Sequence, residues 1–179
     1  MDVNIIKNSD ILEYDCKLFG YDGTYWNTIS GTPSAASDKV RLNTAVIATY
    51  QTLRNCVLQM ALNIPTAPTA EDSRVFGFYS PTLTDKGKIV FQISGTALTA
   101  EVYDEDGDEI DSKSITWDNG WTATETLFEI VVNERNVIFK IAGTIVARFD
   151  DIAVAQFPLN VYLANNNSDN LDIGVIKAW

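Results

Sequence analysis

Apolar and polar residues alternate with a period of two along most of this chain. Ile89, Phe91 and Ile93 alternate with Val90, Gln92 and Ser94, and Leu98, Ala100 and Val102 with Thr99, Glu101 and Tyr103. Phe128, Ile130 and Val132 alternate with Leu127, Glu129 and Val131, and Val137, Phe139 and Ile141 with Ile138 and Lys140. The same spacing recurs in Ile145, Ala147 and Phe149, in Leu159, Val161 and Leu163, and in Leu171, Ile173 and Val175. A strand turns successive side chains to opposite faces, so each set predicts a strand with one row on a core face.

The punctuation between the sets predicts hairpins. Ser94-Gly95-Thr96, Asn133 to Asn136 and Ala142-Gly143-Thr144 are short connectors, and Asp104 to Glu109 turns about Gly107. Strands at this spacing, with no helical segment between them after about residue 75, predict antiparallel sheets packed face to face. The expected class is therefore all-β, an antiparallel two-sheet sandwich.

The first third is less regular. Val3 to Ile6 and Leu12 to Leu18 read as strands. Gly20 to Asp38, rich in Gly, Ser, Thr and Pro with Tyr21, Tyr25 and Trp26 embedded, reads as a long ordered loop. Asn43 to Asn63 allows an amphipathic helix capped by Asn43 or Thr44. The alternation of Cys56, Leu58, Met60 and Leu62 with Val57, Gln59, Ala61 and Asn63 favours two strands with a turn near Gln51 to Asn55. The 179 residues suit one domain, with N-terminal strands and loop over 1–38 and the core sandwich over 39–179.

Charge narrows the partners. Acids outnumber bases 24 to 13, a net charge of −11, so the chain lacks the Lys and Arg that displace counterions from nucleic acid or anionic lipid. No apolar run reaches the roughly 20 residues of a membrane-spanning helix. Met1 to Lys7 has neither the basic start nor the apolar run of a secretion signal, so cytoplasmic synthesis is expected. Cys16 and Cys56 allow at most one disulfide and read as reduced core thiols. The absence of His removes the commonest general base and zinc ligand together.

From about residue 39 the order of features resembles the concanavalin A-like lectin/glucanase jelly-roll superfamily. The matching segments are Leu127 to Val132 followed by Val137 to Ala147, Arg74 to Phe78, Pro158 to Leu163 with the Asn-rich turn after it, and the closing strand Leu171 to Ala178. The resemblance implies a jelly-roll fold, with Gly143 at a hairpin that needs a positive φ. A fold of this kind hosts many functions.

The glucanase branch sets carboxylates alternately along one strand, one as nucleophile and one as acid about 5 Å apart. The nearest approaches here, Glu109-Ile110-Asp111 and Glu101-Tyr103-Glu105, are each incomplete, since Lys113 or Ser114 stands third in the one and the other lacks its aspartate. No catalytic residue is therefore expected, and a glycoside hydrolase is a remote alternative. Asp104, Asp106 and Asp108 offer oxygens for calcium, although Ile115 stands where an EF-hand glutamate would. For a glycan, the candidates are Trp117 and Trp121 with Asp118 and Asn119 between them, and Tyr25 and Trp26 in the long loop. Rings take the C–H faces of sugars while amides and carboxylates bind hydroxyls. The competing reading makes the Trp residues plugs at the end of the sandwich. Two functional expectations remain: a non-catalytic component of a virion or larger particle, oligomeric or bound to other subunits, and a lectin-like carbohydrate-binding module.

Overall fold

A computed structural model of the chain describes residues 12–15, 23–24, 26–36, 38–53, 56–79, 87–122, 124–133, 135–152 and 159–179. These form the two-sheet antiparallel sandwich that the alternation predicts. Val3 to Ile6, Cys16 and Tyr25 lie outside the described residues.

The larger sheet has eight strands. In chain order they are β1 (Leu12–Asp15), β3 (Ser34–Ala36), β4 (Lys39–Leu42), β6 (Val57–Asn63), β11 (Thr126–Val132), β12 (Val137–Ile141), β13 (Thr144–Phe149) and β15 (Leu171–Ala178). Their spatial order is β13-β12-β11-β6-β15-β4-β3, with β1 pairing β15 beyond the end of β4. The second sheet has seven: β2 (Trp26–Ser30), β5 (Ala45–Leu53), β7 (Ser73–Tyr79), β8 (Lys88–Ser94), β9 (Ala97–Tyr103), β10 (Glu109–Ile115) and β14 (Leu159–Asn165). Its order is β10-β9-β8-β7-β14-β5-β2. A 3-10 turn, Asn119–Thr122, carries the chain from β10 in this sheet to β11 in the other.

Between the sheets the inward rows interlock through aromatic edges. Phe76 and Phe91 of the second sheet meet Phe128 of the first at 5.0 and 5.3 Å between ring centres, and Phe91 meets Phe139 at 5.0 Å. Such perpendicular pairs add about 0.5–1.5 kcal/mol each beyond the burial of their area. At one side the edge strands β10 and β13 are drawn together, as Lys113 Nζ donates to the Arg148 carbonyl and lies 5.0 Å from the centre of the Phe149 ring.

Most of the strand expectations hold. The described residues within 43–63 form β5 and β6 rather than a helix, with β5 running on to Leu53 into the expected turn, and Leu58, Met60 and Leu62 are fully buried on one face while their neighbours are half-buried. The β12–β13 hairpin turns on Ala142 (φ 49°) and Gly143 (φ 79°), the pair of positive φ values that matches strand twist in a two-residue loop.

Three expectations are corrected. The segment 20–38 is not one long loop: β2 and β3 lie within it, one in each sheet. Ile145 does not share the inward row with Ala147 and Phe149. A bulge opposite Phe139 and Lys140 inserts Val146 and turns Ile145 outward, 53% exposed. Val175 likewise leaves the inward row of Leu171 and Ile173, because the register against β6 slips between Ile173 and Val175 and hands the core positions to Ile176 and Ala178.

Candidate functional site

The outward faces of the two sheets differ. On the eight-stranded sheet the outward residues Gln59, Ala61, Glu129, Val131 and Lys140 are half-buried, and Leu127 and Ile145 are exposed. On the seven-stranded sheet the outward row is recessed: Val90 and Ala164 are completely buried and Glu101 is only 8% exposed. Alternation places these side chains opposite the core rows of Ile89, Phe91, Leu163 and Val102. The recessed face is where a ligand can be enclosed.

Strand order assembles that face from distant parts of the chain. In register, Glu101 on β9 pairs with Val90 on β8, Val90 with Gly77 on β7, Gly77 with Tyr162 on β14, and Tyr162 with Ala48 on β5. Gly77 takes φ +149°, and a Cβ there would meet the Ile89 carbonyl oxygen at 2.5 Å and both Val90 Cα and the core Ile130 Cδ1 at 2.9 Å, so only a glycine fits. The middle of the row is therefore bare. Around it opens a groove of about 280 Å³ lined by Val75, Tyr79, Lys88, Tyr103, Gly107 and Tyr162.

Two kinds of chemistry meet in the groove. Tyr79 and Tyr162 stand edge to face, with ring centres 5.0 Å apart at 86°. Opposite them Lys88 Nζ lies 3.9 Å from the centre of the Tyr103 ring and 3.1 Å from Glu101 Oε2. Thr99 Oγ1 donates to Glu101 Oε1 at 2.8 Å, and Lys88 Nζ reaches Gln92 Oε1 at 3.4 Å. The Tyr103 hydroxyl donates to Glu109 Oε2 (3.2 Å), whose other oxygen accepts from Ser112 Oγ (2.7 Å). Burial, then the negative charges of Glu101 and Glu109, push the Tyr103 hydroxyl up to about 12. Burial also raises Tyr162, with Tyr79 adding to it.

The site residues expected from sequence are placed elsewhere. Trp117 and Trp121 meet edge to face at 5.3 Å, Trp121 lies 6.3 Å from Phe128, and both rings pack half-buried against the core. They plug the end of the sandwich and do not line the groove. Asp118 and Asn119 serve their own turn: Asp118 Oδ1 accepts from Gly120 N, its carbonyl from Trp121 N, and the Asn119 carbonyl from Thr122 Oγ1. Trp26 is a core residue, 2% exposed, on the edge strand farthest from β10, so it offers no platform beside the Trp117 turn. The calcium candidates Asp104, Asp106 and Asp108 share the turn between β9 and β10. Asp104 Oδ1 is turned inward to accept from the backbone N–H of Asp106 and Asp108 (3.0 and 2.9 Å), and among the described residues no three carboxylates, thiols or imidazoles are grouped to hold a metal ion.

On β10 the register slips between Glu109 and Asp111, which pair with Tyr103 and Val102 and so fall on different faces of the sheet. The outward positions of β8 are Lys88, Val90 and Gln92, and those of β9 are Thr99, Glu101 and Tyr103.

No known family profile and no curated protein matches this sequence. Solved structures do match, over nearly the whole chain. The β-glucanase of Bacillus licheniformis superposes with a TM-score of 0.77 at 11% identity, covering 94% of this chain and 97% of its own. The carbohydrate recognition domain of Emp47p gives 0.71 at 8% identity, over 96% of this chain and 95% of its own. The Crh5 transglycosylase gives 0.77 at 10% identity, over 94% and 83%. The fold is the concanavalin A-like lectin/glucanase jelly roll. At these identities the likeness establishes the fold, and the neighbours on it include both carbohydrate-recognition domains and glycoside-processing enzymes.

Proposed function

We propose that this jelly roll is a non-catalytic carbohydrate-binding module whose site is the groove on the seven-stranded sheet. The observation that carries the reading is the convergence of Tyr79, Tyr103 and Tyr162 with Lys88 and Gly107 around one recessed volume of about 280 Å³. Tyrosine rings take the C–H faces of a sugar, and the Lys88, Gln92, Thr99 and Glu101 group supplies donors and acceptors for its hydroxyls. Solved structures of this fold include a carbohydrate recognition domain and a transglycosylase, which adds weight to a carbohydrate ligand.

The polar set favours binding over hydrolysis. Retaining hydrolysis takes a free carboxylate nucleophile and a second, protonated carboxyl beside it. Here Glu101 is held by Lys88 and Thr99, and Glu109 by Tyr103 and Ser112. Each carboxylate is tied into hydrogen bonds that orient the tyrosine and the lysine.

A glycan array probed with the purified protein, with and without calcium, tests the proposal. The comparison variants are Tyr79→Ala with Tyr162→Ala, and Trp117→Ala with Trp121→Ala. Selective binding lost in the tyrosine variant and kept in whatever fraction of the tryptophan variant folds supports the groove. Folded wild-type protein that binds no glycan under either condition overturns it, and assembly into a larger particle then becomes the leading account.

A further inference from the structure

The groove and the acidic hairpin tip are one neighbourhood. Gly107, in the turn between β9 and β10, lines the groove beside Tyr103. The surrounding stretch carries Asp104, Glu105, Asp106, Asp108, Glu109 and Asp111 and not one basic residue. Glu105, Asp106 and Asp108 are exposed around a turn that the Asp104 carboxylate holds closed.

Among the described residues of the groove nothing offsets that rim. Among the described residues the single basic residue in the lining is Lys88, and Glu101 at 3.1 Å matches its charge. A recessed site with apolar walls focuses the field of its rim, so a carboxylate enters against the field and an ammonium along it. The groove's own ammonium already fills the Tyr103 ring face beside Glu101, so a ligand amine is left to the acidic turn. Lys88 Nζ sits over the Tyr103 ring with a carboxylate beside it, the combination of ring face and acidic partner that suits an alkylammonium.

Resting on the carbohydrate reading, we propose that the ligand class is an amine-bearing sugar, a hexosamine oligomer with free amino groups. Neutral sugars bind less tightly and uronates are excluded. The ring faces of Tyr79 and Tyr162 receive the ligand, while the acidic turn draws its ammonium groups.

The experiment titrates the full chain calorimetrically with a glucosamine tetramer, its N-acetylated counterpart and a galacturonate tetramer. The titrations share one buffer at about pH 5.5. Each titration is run at about 0.01 M salt, where charges act over roughly 30 Å, and at about 1 M, where they act over roughly 3 Å. The expected result is a preference of about tenfold for the free amine over the acetylated form at low salt, shrinking to about twofold at high salt. The same narrowing is expected at low salt in a Glu105→Gln, Asp106→Asn, Asp108→Asn variant whose thermal melt is unchanged, and the uronate does not bind.

Equal affinity for the amine and acetylated forms at low salt, or binding of the uronate, overturns the inference and leaves the groove as a sugar site. Amine binding that survives Tyr79→Ala with Tyr162→Ala overturns it as well, because the ammonium groups are then only coating an acidic surface. If none of the three binds and the glycan array is blank, the carbohydrate reading falls with it.

Discussion

The Lys88 ammonium lies 3.9 Å from the centre of the Tyr103 ring, while the Tyr103 hydroxyl donates in the other direction to Glu109. One tyrosine is thus gripped at its face by a cation and at its tip by an anion. With Glu101 beside the ammonium, four side chains from β8, β9 and β10 form a single linked wall of the groove, with one cation against two carboxylates. Removing any member leaves a neighbour without its counterpart in a half-buried setting, which is where such losses are felt.

Lys88→Met keeps the apolar stem and deletes the charge. It should destabilise the fold by about 1–3 kcal/mol in chemical denaturation, because Glu101 then sits mostly buried with a hydroxyl partner only. Adding Glu101→Gln to that variant should recover about 1 kcal/mol or more. Strict additivity of the two substitutions would show that the pair is not coupled.

Tyr103 gives the protein an alkaline signature. Its hydroxyl, held by burial and by two carboxylates at about 12, stays protonated in the folded state where an unfolded tyrosine ionises near 10. The folded state therefore binds the extra proton between those values. Stability from this group is fully present below about pH 10 and is lost as pH rises towards about 12. Ultraviolet titration of tyrosinate absorbance should show one late-ionising ring missing in Tyr103→Phe, and that variant should lose less stability over the same interval. A Tyr103→Phe curve superimposable on wild type would sink the assignment.

The tryptophan pair should matter to the fold and not to ligand. Trp117→Ala and Trp121→Ala should each cost about 2 kcal/mol in urea unfolding, as each removes a half-buried ring from an edge-to-face chain that ends on Phe128. A substitution that left the unfolding midpoint unchanged would mean the rings are surface ornaments after all.

Cys56 is 6% exposed, and burial pushes its thiol up to about 12. Near neutral pH it carries almost no thiolate, the form that reacts. Iodoacetamide labelling followed by peptide mass spectrometry should find the Cys56 peptide unmodified in the native protein and fully modified in denaturant. Rapid labelling of the native protein would contradict its place in the core.

The alternation made most of the sheets legible, because Phe128, Ile130 and Phe139 had only one face to bury. It failed where the register slips in β13 and β15. Counting by twos from Leu171 or Ile145 assumes an unbroken register, and one inserted residue reverses every later position. Trp26 was misread for a different reason: the Gly, Ser, Thr and Pro around it hide two short edge strands. The groove was hidden more deeply still. Lys88, Gln92, Thr99 and Glu101 read as an ordinary wet face, since strand order leaves no periodic trace along the chain. The one available signal was the presence of Tyr79, Tyr103 and Tyr162 at outward positions of otherwise regular strands, and only the order β9-β8-β7-β14 brings them together.

The bare centre of the groove has a consequence for how a family of such proteins would diverge. Any side chain at Gly77 collides with the backbone of Ile89 and Val90 and with the core side chain of Ile130, so selection for folding alone keeps a glycine there whether or not anything binds the groove. A glycine retained at this position among descendants records the demands of the sheet. Ligand preference is free to drift only at the rim, and the three tyrosines are where a history of binding, or of its loss, would be written.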